Sequence, residues 1–444
     1  MVKVKKAKIA IEDILLPIDE HPYEIPQNWC WVKHNSVLDI SGGSQPAKSY
    51  FISEPTEGYI KLYQTRDYGD NPVPVYIPEK YATKTTVEGD ILLARYGGSL
   101  GKVFRAHEGA YNVALAKIIK LYPDLIDDEY LYKYYFTQFY QDFCVKASKG
   151  RSAQAGFNRD DMNNIPFPLP PLAEQRRIVE QIESLFSKLD EAKEKALSVV
   201  ESFELREKAI YKKAFEGDLT NSWRAENGIN ISEWEEIPFE KLGKLERGRS
   251  KHRPRNDKRL FGGKYPFIQT GDVAGAGMYV TSHKQTLSEF GFEQSRMFPK
   301  GTLCITIAAN IGDAAILSYD CCFPDSVVGF TPGEKCLNKY MYFYLQEIKA
   351  ELEYIAPATA QKNLNLKLLG KVEIKVPSLK EQEKIVEILE KQINDQENIV
   401  EKAENVIETI DVMKKSILAK AFRGELGTNI ETEESAIELL KSIF

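Results

Sequence analysis

A pattern of residues spread over 153 to 219 reappears, in order and without a gap, 207 positions later in the chain. Pro170-x-Leu172-x-Glu174-Gln175-x-x-Ile178-Val179-Glu180 recurs as Pro377-x-Leu379-x-Glu381-Gln382-x-x-Ile385-Val386-Glu387. Lys213-Ala214-Phe215-x-Gly217-x-Leu219 recurs as Lys420-Ala421-Phe422-x-Gly424-x-Leu426, and Asn158 as Asn365. Solenoid units run roughly 20–50 residues, so this period describes something else. A domain followed by a helix occurs twice in one polypeptide, which suits gripping a target at two separated places.

The 444 residues leave room for about three domains. The duplication divides them into an N-terminal arm (1–22), a first globule (23–171), a spacer helix (172–216), a second globule (217–378), a second helix (379–426) and an acidic tail (427–444). In the first globule, strand-like runs at 59–64, 90–94 and 114–121 alternate with glycine-rich turns. One aromatic helical stretch, 130–143, places Tyr132, Phe136, Phe139 and Phe143 at the spacing of a buried face. The second globule repeats the plan: Trp234 answers Trp29, and Gln269-Thr270-x-Asp272 answers Gln64-Thr65-x-Asp67. Alternating strand and helix signals with irregular connections predict α+β globules rather than a doubly wound sheet.

Both post-globule segments carry heptad seams. In the first, Ile178, Ile182, Leu185, Leu189, Ala192, Ala196, Val199, Phe203 and Ile210 recur four and three apart. The second, in the same register, reads Ile385, Leu389, Gln392, Gln396, Ile399, Ala403, Val406, Ile410, Met413 and Ile417. Ser378-x-x-Glu381 has the form of a capping box, and Gly217 and Gly424 stand where helices stop. Two such seams bury best against each other. Because the first helix leads out of globule one and the second starts at globule two, the expected pair is an antiparallel coiled coil.

Composition sets further bounds. The net charge is −6, yet seven Lys or Arg fall between Arg247 and Arg259 against one acid, Asp257. Six cysteines without a CxxC read as reduced thiols, and the absence of a signal-peptide core or an ~18-residue apolar run predicts a soluble cytoplasmic protein with no membrane contact.

The doubled helix signature, clearest in Ile165-Pro-Phe-Pro-Leu-Pro-Pro-Leu172 and the following 173–180, resembles the specificity subunits of type I restriction–modification enzymes. The resemblance covers nearly the whole chain. It implies two target-recognition domains, each reading half of a split sequence in double-stranded DNA, with the helices as spacer and docking surface. It also implies no catalytic centre. Two adenine-specific methyltransferase subunits would bind the chain, nuclease/translocase subunits would join, and S-adenosylmethionine, ATP and magnesium would sit on those partners with none held here.

On their own terms the residues offer little catalytic chemistry. No acidic-or-Asn–Pro–Pro–aromatic tetrapeptide of an adenine methyltransferase exists here. Gly97-Gly-Ser-Leu-Gly101-Lys102 lacks phosphate-loop spacing and reads as a turn between strands. Five scattered histidines form no metal pair. The basic run 248–259, with Arg247, Arg249, Lys251, Arg253 and Arg255, is the best DNA signal, because arginine grips phosphates and guanine edges bidentately. Arg66, Arg95, Tyr96, Lys102 and Arg151 are counterparts in the first globule, each equally open to surface pairing. Gln269 is a further candidate contact. Gln154 and Gln361, at matching loop positions, could pair with adenine or buttress the loop; the residues leave both readings open. A coiled-coil scaffold for protein partners is the competing reading, favoured by net acidity and disfavoured by clustered arginines. A self-contained modification enzyme lacks a motif.

Overall fold

The computed structural model describes residues 10–149, 156–163, 165–356 and 364–443. The chain forms two compact units, Met1–Ala196 with Asn405–Phe444, and Leu197–Glu404, called here the first and second domain. Each boundary falls inside a long helix, so each domain owns part of both helices.

In the first domain an antiparallel sheet runs in the order Leu38–Gly42, Leu115–Lys120, Ile91–Ala94, Val103–Arg105. Ile91–Ala94 is buried at all four positions, as a short apolar run covered on both faces must be. A second sheet has the order Tyr76–Pro78, Tyr59–Tyr63, Gly109–Tyr111, Thr85–Thr86, with one parallel pairing. A ribbon of Cys30–Lys33 against Pro166–Leu169 completes the strands. The second domain repeats all three. Its ribbon is Glu235–Pro238 with Glu373–Val376. One sheet is ordered Gly243–Arg247, Val327–Pro332, Leu303–Thr306, Ala314–Leu317, extended by Tyr279–Val280. The other is Gln285–Leu287, Phe261–Phe267, Cys321–Cys322, Met297–Phe298. The fold is α+β in each domain, and two long helices join the two.

The aromatic stretch 130–143 differs from its expected form. It is two helices, Asp128–Tyr134 and Gln138–Lys149, separated by a turn. The break resets the helical phase, so Tyr130, Tyr134, Tyr135 and Tyr140 are fully buried, whereas Phe136 is 40% exposed and Tyr132, Phe139 and Phe143 only line the core's edge. Buried tyrosines need partners for their hydroxyls. Tyr130 and Tyr134 donate to the carbonyls of Pro168 and Pro166, at 2.9 and 2.8 Å. That ties the helix to the ribbon that leads into the first long helix.

The first long helix spans Leu172–Glu201 and, after a turn at Ser202, continues as Phe203–Phe215. It is therefore not one unbroken rod. Ser198 O accepts from both the Ser202 N–H, at 3.1 Å, and the Ser202 hydroxyl, at 2.6 Å, and the Arg206 guanidinium donates to Val199 O at 2.7 Å, so side chains bond the backbone carbonyls at the turn. The second long helix, Leu379–Ala421, runs 43 residues without a break. Within the first domain the two run antiparallel: Asp190 pairs with Lys414, and Lys193 with Asp411 at 2.9 Å, one number rising as the other falls. Within the second, Ile210 and Ile393 pack on one core.

The seam of the second helix needs a correction. Ile385, Leu389, Ala403 and Ile410 are buried, but Ile399, Val406 and Met413 lie on the outer flank, 43%, 45% and 45% exposed. Ile393, Val400 and Ile407, each one residue later than the register 392, 399, 406, carry the inner face. The adjacent apolar pairs Ile399-Val400 and Val406-Ile407 fit either spacing, and packing chooses the second of each. In the first helix Ile178, Ile182 and Ala196 are buried, with Leu185, Leu189, Val199, Phe203 and Ile210 half-buried, as is Ile417 in the second.

Among the described residues, no helix is long and apolar enough to cross a membrane, and all six cysteines are free and buried. The segment 427–444 is not a loose tail in its described part. Ala436–Ile443 forms a helix whose Ala436 and Leu440 enter the first domain's core.

Candidate nucleic-acid interface

The repeated Glu-Gln pair is a lock between domain and helix. Gln175 receives the Asp127 N–H at 2.8 Å and donates to the carbonyls of Leu125 and Pro170. Gln382 receives the Leu337 N–H at 2.9 Å and donates to Lys335 and Pro377. Trp29 Nε1 donates to Glu174 at 2.7 Å, and Trp234 Nε1 to Glu381 at 3.0 Å. Ser378 caps its helix weakly, at 3.4 Å, but the Glu381 carboxylate does not return to it as a capping box would. Glu381 is instead bound by Thr220 and by the buried Arg224, both at 2.8 Å. Glu174 is satisfied without a directly bonded cation, by Asn429 at 2.8 Å and Thr428 at 3.4 Å beside the indole. Burial raises its pKa against the lowering pull of those donors.

Around this frame, each domain gathers three loops at one end of the sheet that holds Leu38–Gly42 or, in the second domain, Gly243–Arg247. In the first domain, Gly43 N donates to Leu115 O at 3.0 Å and Ser44 N to Tyr111 O at 3.1 Å. Arg95 N donates to Ala114 O at 2.9 Å. In the second, the same three links are Gly248 to Val327, Arg249 to Phe323, and Ile307 to Ser326, at 2.9, 3.0 and 3.0 Å. A Cβ on Gly43 would come within 2.1 Å of Asn112 O, and one on Gly248 within 2.2 Å of Pro324 O. Only glycine permits that approach of the backbones.

The side chains on these loops differ. In the second domain the basic loop is braced by two acids. Arg255 reaches both Asp325 oxygens at 2.8 and 2.9 Å, Arg253 lies 3.9 Å away, and Arg247 donates to the Asp325 carbonyl. Asp257 accepts from Arg259 and His252, which hold its carboxyl well below the usual range. Lys251 is exposed, and Arg253 and Arg255 remain more than half exposed, so the brace fixes the loop and leaves guanidinium edges facing water. Arg249 is half-buried beneath them. Gln269, exposed, opens a helical turn with Asp272 accepting its N–H at 2.9 Å, while its amide donates to Gln285 at 2.7 Å. The repeated Gln-Thr-x-Asp thus reads first as a cap, since Gln64 and Asp67 make the same box.

In the first domain, Arg95 lies 4.6 Å over the Tyr96 ring and donates to Val113 O at 2.9 Å. Lys102, exposed, stands at the same hairpin end, its carbonyl taking the Ala94 N–H. The segment 97–102 between them is a short turn joining two strands. Arg66, also exposed, belongs to the turn Thr65–Tyr68 after a strand of the other sheet. Arg151, Gln154 and Gln361 lie outside the described residues. Two residues that sequence reasoning did not single out stand near these loops: Ser44, on the loop equivalent to the basic one, accepts from Thr83 at 2.9 Å, and Lys84 reaches Ser41, in the strand before that loop, at 3.0 Å. The available signal was Gly43, which occupies the place of Gly248. Among the described residues, no group of three or more His, Cys, Asp or Glu could hold a metal.

The model of the type I restriction modification DNA specificity domain matches this chain twice, over residues 26–202 and 231–409. The chain is 25% identical over 423 residues to the putative type I restriction enzyme MjaX specificity subunit of Methanocaldococcus jannaschii, covering 91% of this chain and 95% of that one. It is 23% identical to the EcoKI specificity subunit of Escherichia coli K12, at 95% and 96% coverage. The match to the EcoDI specificity subunit of Escherichia coli, 26% identical, spans 47% of this chain and 46% of that one. A crystal structure of the HsdS subunit from Thermoanaerobacter tengcongensis superposes with a TM-score of 0.64 at 21% identity, covering 92% of this chain and all of that one. The chain therefore belongs to the type I restriction–modification DNA specificity family, as a non-catalytic specificity subunit with two target-recognition domains.

Proposed function

We propose that each domain reads one half of a split DNA target, while the paired helices set the gap and dock two adenine-specific methyltransferase subunits. The carrying observation is that one three-loop cluster is built twice on one backbone plan, with different side chains on each copy. A shared frame with divergent loops is what reading two different half-sites requires. Phosphate contacts from Lys251, Arg253, Arg255, Arg66 and Lys102 would fix register, and side chains deeper in each cluster would meet base edges. S-adenosylmethionine, ATP and magnesium belong in this reading to the partner subunits, nuclease/translocase subunits included, and the complex works on cytoplasmic DNA.

Methylome sequencing of a host carrying this chain with its methyltransferase should show a two-part motif with a constant gap; a continuous motif, or none, contradicts the proposal. Duplex affinity of the assembled complex should fall steeply with salt. Replacing Arg253 and Arg255 by alanine should lower the slope of log K against log salt by about 0.9 for each phosphate no longer neutralised. Salt-insensitive binding of protein partners with no duplex affinity would select the scaffold reading instead.

A further inference from the structure

The strand Leu38–Gly42 of the first domain and the strand Gly243–Arg247 of the second end at the same place in different residues, a glycine and an arginine. Backbone links fix the correspondence. Gly43 and Gly248 donate to Leu115 O and Val327 O, and Leu115 and Val327 each close a turn onto Asn112 O and Pro324 O. Phe157 and Leu364 donate to Arg95 O and Ile307 O. Gly42 therefore stands where Arg247 stands, Arg95 where Ile307 stands, and Val113 where Asp325 stands. The arginine has changed its place in the chain but not its hydrogen bond: Arg95 Nε donates to Val113 O at 2.9 Å, and Arg247 Nε donates to Asp325 O. In the first domain the guanidinium lies over Gly42, where a Cβ would come within 2.9 Å of Arg95 Nη1. In the second domain the strand end itself supplies the guanidinium, and Ile307 is buried in the core.

With Nε held, the Nη edge of each arginine is left over. Neither pairs with an acid among the described residues, unlike Arg253, Arg255 and Arg259, whose carboxylate partners are Asp325 and Asp257. Arg247 is exposed and Arg95 partly so, and no Nη nitrogen of either is buried without a partner. A group that two domains keep while the residues around it differ serves what their targets share. In the reading proposed above, the half-sites differ in their bases and share a sugar–phosphate backbone. A guanidinium edge matches two oxygens of one phosphate through paired hydrogen bonds, and the carbonyl at Nε fixes where that edge points. We propose that Arg95 and Arg247 make one and the same contact in the two domains, each clamping a backbone phosphate of its own half-site rather than a base edge. This rests on the DNA-reading function proposed above and assigns the contact common to both domains.

The test uses the chain assembled with its methyltransferase subunits. Arg95→Ile, which copies Ile307, should weaken duplex binding about tenfold at about 0.1 M salt and lower the slope of log K against log salt by about 0.9, the share of one phosphate. Adding Gly42→Arg, which copies Arg247 into the space that Arg95 has vacated, should restore both. Replacing the first half-site's phosphates one at a time by methylphosphonate should find one position whose neutralisation weakens the unaltered complex and costs the Arg95→Ile complex nothing further. Arg247→Ala should behave alike against one phosphate of the second half-site, and the methylated motif should stay the same in every variant. If Arg95→Ile instead admits other bases at one position of its half-motif, the arginine reads a base edge. If no phosphate couples to either arginine, the two only brace their loop carbonyls. Either result overturns the proposal. Absence of any salt-dependent duplex affinity in the unaltered complex would instead overturn the DNA reading itself, and this inference with it.

Discussion

Glu174 and Glu381 show how one residue, repeated, can be satisfied in two ways. Both carboxylates are almost wholly buried and both accept from a tryptophan indole. Glu381 adds the buried guanidinium of Arg224, and removing one partner of a buried ion pair typically costs about 3–5 kcal/mol. Arg224→Met should therefore destabilise the second domain by that amount in urea titration, while Asn429→Ala, which removes a neutral donor, should cost the first domain about 1–3 kcal/mol. Equal losses would contradict the asymmetry. His34 offers a pH test. It is buried with Nε2 2.8 Å from the Tyr135 hydroxyl, and burial pushes its imidazole down to about 3. An unfolded histidine titrates near 6.5, so between pH 6.5 and about 3 the unfolded chain binds the extra proton. The first domain's stability should be undiminished above pH 6.5 and fall by about 1.4 kcal/mol per pH unit below it, less steeply in His34→Gln.

At the scale of elements, the second long helix separates pattern from packing. Ile410 is 3% exposed and Val406 45%. Ile410→Ala should cost about 2–5 kcal/mol, whereas Val406→Ala should change the unfolding midpoint little. Comparable losses would restore the register that sequence periodicity favours. The reason the sequence misleads is local: doublets of apolar residues at 399–400 and 406–407 satisfy a heptad in two phases, and only the facing surface chooses. The break at Ser202 is hidden for a similar reason, since serine in a helix is unremarkable until its hydroxyl adds a second bond to Ser198 O and Arg206 reaches Val199 O. The aromatic stretch 130–143 reads as one helix from spacing alone, because no glycine or proline marks the turn that begins at Tyr135.

For the whole molecule, the duplication carries the inference. An offset repeat of Glu-Gln, Lys-Ala-Phe and Trp is enough to expect two α+β domains and two long helices, because those residues build the frame rather than the variable loops. The surface proposed to meet DNA is legible only where charge density announces it, at 248–259. In the first domain the equivalent loop holds Ser44 and Lys48 instead of an arginine run, and it is found only by superposing backbone links. Replacing residues 23–171 with another such globule should alter one half of the methylated motif and leave the other unchanged; change in both halves would contradict independent reading.

The first domain is assembled from two stretches of chain, one before and one after the second domain. Phe422 packs 4.8 Å from Tyr130, Arg177 grips Glu433 through two bonds, and Asn429 completes Glu174. On the ribosome, translation reaches those residues only after the whole of the second domain. The second domain, a single stretch from 197 to 404, can mature while the opening half still waits, on the order of ten seconds or more at ordinary translation speeds. A stop codon between residues 405 and 429 would therefore harm the part of the protein made before the second domain.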